Sequence, residues 1–328
     1  MNNYSDSQIR YLIDYANIKQ GLIKNQNDFL SDKDLQKFLK KKYLGFPLLL
    51  PLGIKYFDYS GKIKQFKISK KNARKYIFNC KSNDYVGMKI FFKYGNKFCV
   101  GAKLKKKYEK DYYAVINFNK KLISQIKNKK KKFKISSFQT RNIPHFGHEL
   151  IIQKLIGYNK LLFINPLIGI KKKGDVKNYI LEKVFNYLKN LNIYKSRIIY
   201  GPVICNMHYA GPREALHHVY IREKLGFDQF SIGRDHAGAE DNFKPLDAKT
   251  FVKKNNKRFK INIFYHNGAY FCRKCKKIIL KGDCNHKSLN GISGSEFRKK
   301  LEKKIVFLYA RKNLQKFINK IKKKNLFN

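Results

Sequence analysis

Two imidazoles three residues apart, set where a strand gives way to a helix, are the side chains best placed to do chemistry in this 328-residue chain. They lie in Gln139-Thr140-Arg141-Asn142-Ile143-Pro144-His145-Phe146-Gly147-His148-Glu149, directly after the strand-like run 134–138. At i and i+3, His145 and His148 share one face of the helix they open. A helix N-terminus adds unpaired N–H groups and a partial positive charge. Pro144 suits a first helical turn, and Gly147 lets an anion come close to the backbone. Gln139 and Arg141 stand in the loop just before. Such a set suits an anion, above all a polyphosphate. An incidental imidazole at a helix start would account for one histidine, but not for a pair behind Arg and Asn.

Three further stretches carry polar chemistry. Gly201-Pro202 is followed by Asn206-Met207-His208-Tyr209-Ala210-Gly211-Pro212-Arg213-Glu214-Ala215, a Gly-Pro helix start that alone is ordinary. Gly233-Arg234-Asp235-His236-Ala237-Gly238 gathers a cation, a carboxylate and an imidazole in one glycine-flanked loop. In Ile292-Ser293-Gly294-Ser295-Glu296-Phe297-Arg298, Ser293 can cap a helix, with Glu296 completing a capping box. A different chemistry is written in Cys272-x2-Cys275-x8-Cys284-x-His286: three thiolates and an imidazole match a tetrahedral, structural zinc site. His266 is a spare candidate for that set, while Cys80, Cys99 and Cys205 read as buried apolar residues.

These loops need a scaffold. From residue 134 onward, strand-like runs at 134–138, 161–164, 197–200 and 228–232 alternate with helical segments at 145–156, 176–191 and 212–225. That alternation predicts a doubly wound parallel sheet, whose ligands lie beyond the carboxyl ends of its strands. The motifs fall at those ends. The zinc loop lies between a strand-like segment at 258–265 and the helix begun by Ser293, and a basic helical segment follows at 301–324. Residues 1–130 read differently: a helix at 30–41 capped by Ser31, then short apolar stretches at 46–52, 54–59, 63–68, 76–80, 89–92, 97–100 and 112–118. Many short strands predict a small β-barrel or sandwich, bounded by the charged junction 128–132.

Composition narrows the class. Hydrophobic residues make up 43% of the chain, enough to bury a core, so disorder is excluded in spite of a net charge of +51. The longest apolar stretch, LGFPLLLPLGI, is too short to span a membrane, and no basic-then-apolar leader opens the chain. Six cysteines in 328 residues do not make a disulfide scaffold, so a reducing, cytoplasmic location is expected. Lysine is spread from end to end, and Trp is absent while Tyr and Phe number 22 and 26. That pattern reads as coding drift in an AT-rich genome rather than as the basic stripe of a nucleic-acid binder, so nucleic acid is not the expected partner.

Taken together, QTRNIPHFGHE, YAGPREA, GRDHAG and ISGSEFR, in that order, resemble the ATP sulfurylase (sulfate adenylyltransferase) family, as does NPLIGIKKKGDV at 165–176, with Asn for the family's leading His. The good match covers about 134–298. The resemblance implies an HxGH nucleotidyltransferase-like catalytic domain over 131–328, with the zinc loop at 272–286 and a C-terminal helical segment, preceded by a diverged PUA-like β-rich domain over 1–130. No kinase-like domain is expected after the catalytic part. The implied reaction is ATP plus sulfate giving adenylyl sulfate plus pyrophosphate, and its reverse. Carried onto matching positions, Gln139, Arg141 and the Ala237 N–H would hold sulfate, and Thr140 and Asn142 would contact the reacting phosphates. His145 and His148 would stabilise the pyrophosphate end, with Gly233, Arg234, Asp235 and His236 on the nucleotide side. Mg²⁺ would arrive with ATP, and a homo-oligomer is implied. The rival readings are another HxGH nucleotidyltransferase and an inactive or nucleic-acid-binding relative.

Overall fold

Five short apolar strands in the second half of the chain pair side by side and parallel: β6 (Ile135–Phe138), β7 (Leu161–Ile164), β8 (Ile198–Tyr200), β9 (Gln229–Ile232) and β10 (Asn262–Tyr265), in the order β10-β9-β6-β7-β8. The chain steps outward from β6 through β7 to β8, then returns to the other side of β6 for β9 and β10. The strand order therefore reverses between β6 and β9, and a crevice opens at such a point. This is the expected doubly wound sheet. The structure, a computed structural model, describes residues 4–24, 26–39, 46–51, 59–60, 64–100, 102–158, 160–194, 196–321 and 326–328.

Side-chain alternation along β7 shows how the two faces are covered. Leu162 and Ile164 belong to one core with Ile152 and Leu155 of α6 (Phe146–Tyr158) and Val184 and Leu188 of α7 (Asn178–Lys189). Leu161 and Phe163 enter the other core, with Leu216 and Val219 of α8 (Gly211–Leu225) and Val252 of α9 (Asp247–Asn255). That second core continues without a break into the N-terminal region through Leu12, Phe29, Phe78 and Phe98. Glycine closes α8, with Gly226 at φ 95°.

The first 130 residues depart from the expected barrel or sandwich. Among the described residues they are mostly helical: α1 (Asp6–Lys19), α2 (Asp32–Leu39), α3 (Lys70–Asn72) running into a π-helical turn at Ala73–Phe78, α4 (Val86–Phe91) and α5 (Glu109–Lys130). Strands are short: β1 (Leu50–Pro51), β2 (Tyr59–Ser60), β3 (Lys64–Lys67), β4 (Lys97–Val100) and β5 (Lys103–Leu104), paired as β1-β4-β3 and β2-β5. The expected strands at 63–68 and 97–100 and the helix at 30–41 stand, and Ser31 Oγ accepts the Asp34 N–H at 3.2 Å. Stretches 76–80, 89–92 and 112–118 are helical instead. Their aromatic and β-branched residues imitate strands, but in α5 the buried positions are Val115, Ile116, Asn119, Leu122 and Ile126, a helical stripe. Most of the expected strand 54–59 lies outside the described residues. Cys99 and Cys205 are buried as expected, and Cys80 is only half-buried.

After β10 the chain makes a three-stranded antiparallel ribbon of β11 (Ala269–Cys272), β12 (Lys277–Leu280) and β13 (Leu289–Gly291), in the order β12-β11-β13. Then come α10 (Gly294–Glu302) and α11 (Lys312–Lys320), so the basic segment at 301–324 is not one continuous helix. Among the described residues, no helix is long and apolar enough to cross a membrane.

Candidate functional site

A cavity of about 530 Å³ opens beyond the carboxyl ends of β6, β9 and β10. Every expected substrate-side residue lines it: Gln139 to Asn142 with His145 and His148 after β6, and Gly233 to Ala237 after β9. Ser293 to Ser295 and Arg298 complete it from the start of α10. A cleft of about 620 Å³ lies at the opposite end of the sheet, beside Lys134, Asp228 and Gln229, and contains none of these motifs.

The loop after β6 is fixed from within and across the cavity. Thr140 Oγ1 accepts the Asn142 N–H at 3.0 Å, and Asn142 Oδ1 accepts from Arg298 of α10. Arg141 donates to the Gly238 carbonyl at 2.7 Å through Nη2, while Nη1 lies 3.8 Å from Asp175 and has no hydrogen-bond partner. Gln139 Oε1 is likewise buried and unpartnered. Both atoms are buried behind the cavity wall without a hydrogen-bond partner.

The two histidines of the first motif cap their own helix. His145 Nδ1 accepts the backbone N–H of Gly147 at 3.1 Å and of His148 at 3.4 Å, and His148 Nδ1 accepts the His145 N–H at 3.4 Å. This is a reciprocal cap built from imidazoles rather than from Ser and Glu. Burial pushes His145 down to about 4 and His148 well below its usual range, so both rings are neutral. With Nδ1 spent as an acceptor in each ring, the single proton sits on Nε2. The pair therefore offers two N–H donors without a full positive charge. Gly147 has a different reason from the one expected: a Cβ there would come 2.7 Å from Ala269 Cβ of β11 and 3.0 Å from the His145 ring. Pro144 precedes the cap rather than standing inside the helix.

The loop after β9 is held in a costly shape. Ala237 takes φ 57°, a conformation that residues with a Cβ rarely adopt, and its carbonyl accepts the Gly211 N–H at the start of α8 (3.2 Å). Arg234 spans Asp235 at 2.7 Å and Tyr270 of β11 at 2.9 Å. Gly233 leaves room for His266, whose ring would lie 2.6 Å from a Cβ there. His266 is thus a cavity residue and not a spare metal ligand. It stands just beyond β10, with Nδ1 buried and unpartnered and its pKa pushed down to about 4 by burial. Its place directly after a strand was the sequence signal for it. Met207 and Arg298 are further lining residues, and only their loops were singled out beforehand. Ser293 caps α10 through the Glu296 N–H at 3.3 Å, but the Glu296 carboxylate lies 3.7 Å from Lys300 rather than closing a capping box.

The Cys and His side chains of the ribbon converge. Ligand atoms of Cys272, Cys275, Cys284 and His286 all lie within 4.8 Å of one another, a set that can close around one metal ion. The Cys275 N–H donates to Cys272 Sγ at 3.4 Å and lowers the pKa of that thiol, while the neighbouring Cys272 raises that of Cys275. The same ribbon touches three walls of the cavity: Ala269 against Gly147, Tyr270 against Arg234, and the Ala269 carbonyl against the Ile292 N–H (3.4 Å).

The ATP-sulfurylase family model matches residues 116–313. A sulfate adenylyltransferase of Thermococcus onnurineus is 38% identical over 167 residues, which is 50% of this chain and 44% of that protein. One of Ignicoccus hospitalis is 34% identical over 168 residues, 51% of this chain and 44% of that protein. One of Persephonella marina is 27% identical over 329 residues, 88% of this chain and 83% of that protein. The match thus spans less than half the length of the first two relatives and most of the third. In fold, the chain is similar to the hexameric APS kinase from Thiobacillus denitrificans, with TM-score 0.60 over 95% of this chain and 61% of that one, at 10% identity.

Proposed function

This chain belongs to the ATP-sulfurylase family, and from that premise we propose that it is a sulfate adenylyltransferase, joining sulfate to the α-phosphate of ATP with release of pyrophosphate, and running the reverse reaction. The observation that carries this reading is the meeting of four separate motifs around one cavity.

Sulfate is a dianion at neutral pH, so no general base is needed to make the nucleophile. The difficulty is to bring that dianion up to a charged α-phosphate in line with the leaving pyrophosphate, which calls for positioning and for preorganised donors. Arg141, Gln139 and the Ala237 N–H hold sulfate in this reading, and Thr140 and Asn142 meet the reacting phosphates. The Nε2–H groups of His145 and His148 donate to oxygens on which charge grows as pyrophosphate leaves. Neutral donors suit that task, because they gain most when the charge develops and do not trap the product. Arg234, Asp235 and His236 serve the nucleotide side. Mg²⁺ accompanies the triphosphate and neutralises part of its charge, and no protein cage for it is assigned.

Cys272, Cys275, Cys284 and His286 hold Zn²⁺ in this reading, with four protein ligands leaving no open position, so its contribution is structural. Residues 131–328 form the nucleotidyltransferase unit. Residues 1–130 are a diverged counterpart of the family's PUA-like domain, a view supported by the two small antiparallel sheets. The protein works in the cytoplasm as a homo-oligomer. The test is turnover by the purified chain in both directions: sulfate-dependent release of pyrophosphate from ATP, and ATP formation from adenylyl sulfate plus pyrophosphate. Pyrophosphate release that requires a different acceptor would instead make it another HxGH nucleotidyltransferase.

A further inference from the structure

The ribbon that carries the Cys and His cluster also grips one of the cations of the cavity. Arg234, just after β9, lines the cavity with 40% of its side chain exposed. Its guanidinium is held at two nitrogens. Nε donates to Asp235 Oδ2 at 2.7 Å, and Nη1 donates to the Tyr270 hydroxyl at 2.9 Å. Nη2 has no acceptor among the described residues and is not buried, so it is the nitrogen left open to a ligand. Asp235 by itself cannot fix this side chain. It is the next residue of the same loop and its side chain is 55% exposed, so the two can move together. Tyr270 comes from a separate element. It stands on the central strand of the ribbon, paired with Ile279 of β12 and Gly291 of β13, two residues before Cys272. Gly268, at φ 89°, turns the chain into β11 and lies against both partners: a Cβ there would be 3.7 Å from the Tyr270 ring and 3.9 Å from Arg234 Cβ. Tyr270 does not itself line the cavity.

An arginine on an exposed loop samples many rotamers, and a ligand that binds it must first order it. A hydroxyl fixed in a paired strand removes that requirement, because it holds the guanidinium plane before the ligand arrives. We propose that Tyr270 is a positioning residue, whose hydroxyl aims Arg234 Nη2 at an anionic oxygen of the bound nucleotide. A guanidinium offers only N–H donors and pairs best with anionic acceptors, so the group that fits is a phosphate oxygen. The ribbon then takes part in nucleotide binding besides bracing the cavity wall. The Cys and His cluster, which includes the last residue of β11, secures the strand that carries this hydroxyl. This inference rests on reading the cavity as a nucleotide site.

The test uses the full chain with Tyr270→Phe, which removes the hydroxyl and keeps the ring and the strand. Calorimetric titration with ATP should show binding about tenfold weaker than in the wild type, and the KM for ATP should rise by a similar factor with little change in kcat. The KM for sulfate should stay within about twofold of wild type, and melting temperature and metal content should not move. Added to Arg234→Ala, the same substitution should cost nothing further, because no guanidinium remains to be positioned. Equal losses of ATP affinity in the two backgrounds would mean that Tyr270 acts through ribbon packing, and would overturn the proposal. So would an ATP affinity unchanged by Tyr270→Phe, or a rise confined to the KM for sulfate. Nitrogen-15 spectra of the wild type supply a readout that needs no variant: slowly exchanging, separate Nη signals are expected for Arg234, and a single averaged signal overturns the proposal. If the wild type binds no ATP at all, the nucleotide-site reading falls, whereas the Nη signals still decide whether Tyr270 fixes the side chain.

Discussion

The two parts of this chain serve one cavity in different ways. Among the described residues, every lining side chain comes from the parallel-sheet half and the elements after it, and none from residues 1–130. Yet the N-terminal region grips two of the lining loops from behind. Arg10 of α1 donates twice to the Met207 carbonyl, at 2.6 and 3.1 Å, and Met207 Sδ in turn receives the Gln139 amide at 3.7 Å. Asp14, one turn on, accepts from Asn206 at 2.7 Å. Ser82 and Val86 donate to the side chains of Asn242 and Glu240 at 3.2 and 3.1 Å, and Tyr85 packs edge-on against Phe243. Chemistry has to sit at strand ends, where loops and helix N-termini converge. Support requires only a well-packed surface with a few matched polar groups, and many sequences supply that. The half that lines the cavity is accordingly the half whose motifs are readable.

The sharpest break of this comparison is Arg141→Ala, with His145→Ala beside it. Each removes a group that faces the cavity, and loss of one preorganised donor costs about 10²–10³ in turnover. Both directions of reaction should fall together, with melting temperature nearly unchanged for Arg141→Ala and lowered for His145→Ala, which also loses the cap of α6. For His145→Ala the loss should appear in kcat rather than KM, and near-normal turnover by Arg141→Ala would remove the loop after β6 from the chemistry. A step down in activity, but the largest in stability, is Cys272→Ser. It should abolish metal content and lower the melting temperature, because the ribbon then loosens from Gly147, Arg234 and Ile292, and activity should follow secondarily. Protein purified without chelator that contains no metal, and whose four ribbon ligands are freely modified, would refute the closed site.

Acidification tests the parallel-sheet half, which holds every histidine of the chain. Burial holds His145 and His217 at about 4, against 6.5 for an unperturbed imidazole. The unfolded chain therefore takes up protons first as pH falls through 6.5, and stability present at neutral pH is lost from there down to about 4. Each such histidine costs on the order of 2 kcal/mol at pH 5. The melting temperature should drop steeply between pH 7 and 5, while turnover per folded molecule shows no acid limb at 6.5. A limb at that pH would mean that the capping imidazoles are charged in the working enzyme. The smallest effect on turnover is expected from Arg10→Ala, about three- to tenfold, as it reaches the cavity through Met207 and touches no lining group otherwise. A loss as large as that of Arg141→Ala, with the fold intact, would place α1 in the chemistry and end the distinction between the two regions.

Local order along the chain carried the legible part. Apolar runs of four residues, such as Leu161–Ile164, bounded by turn residues and followed by amphipathic helices, specify parallel strands with little ambiguity. The same short-window logic failed at 112–118. There Tyr, Val, Ile and Phe from a drifting composition imitate a strand, and only the 22-residue periodicity of α5 reveals the helix.

By itself, the sequence determined which residues stand at strand ends, the order of the four motifs, and the Cys and His spacing that can enclose a metal. All of these are set within a few residues of one another, by backbone preference and side-chain periodicity. Only the tertiary structure decided that Arg141 reaches the Gly238 carbonyl, that His266 faces the cavity rather than the metal, and that Arg10 braces Met207. Those outcomes depend on partners such as Arg141 with Gly238, Gly233 with His266 and Arg10 with Met207. Hydrogen bonds and burial act over a few ångströms, and folding alone decides which distant residues come within that range.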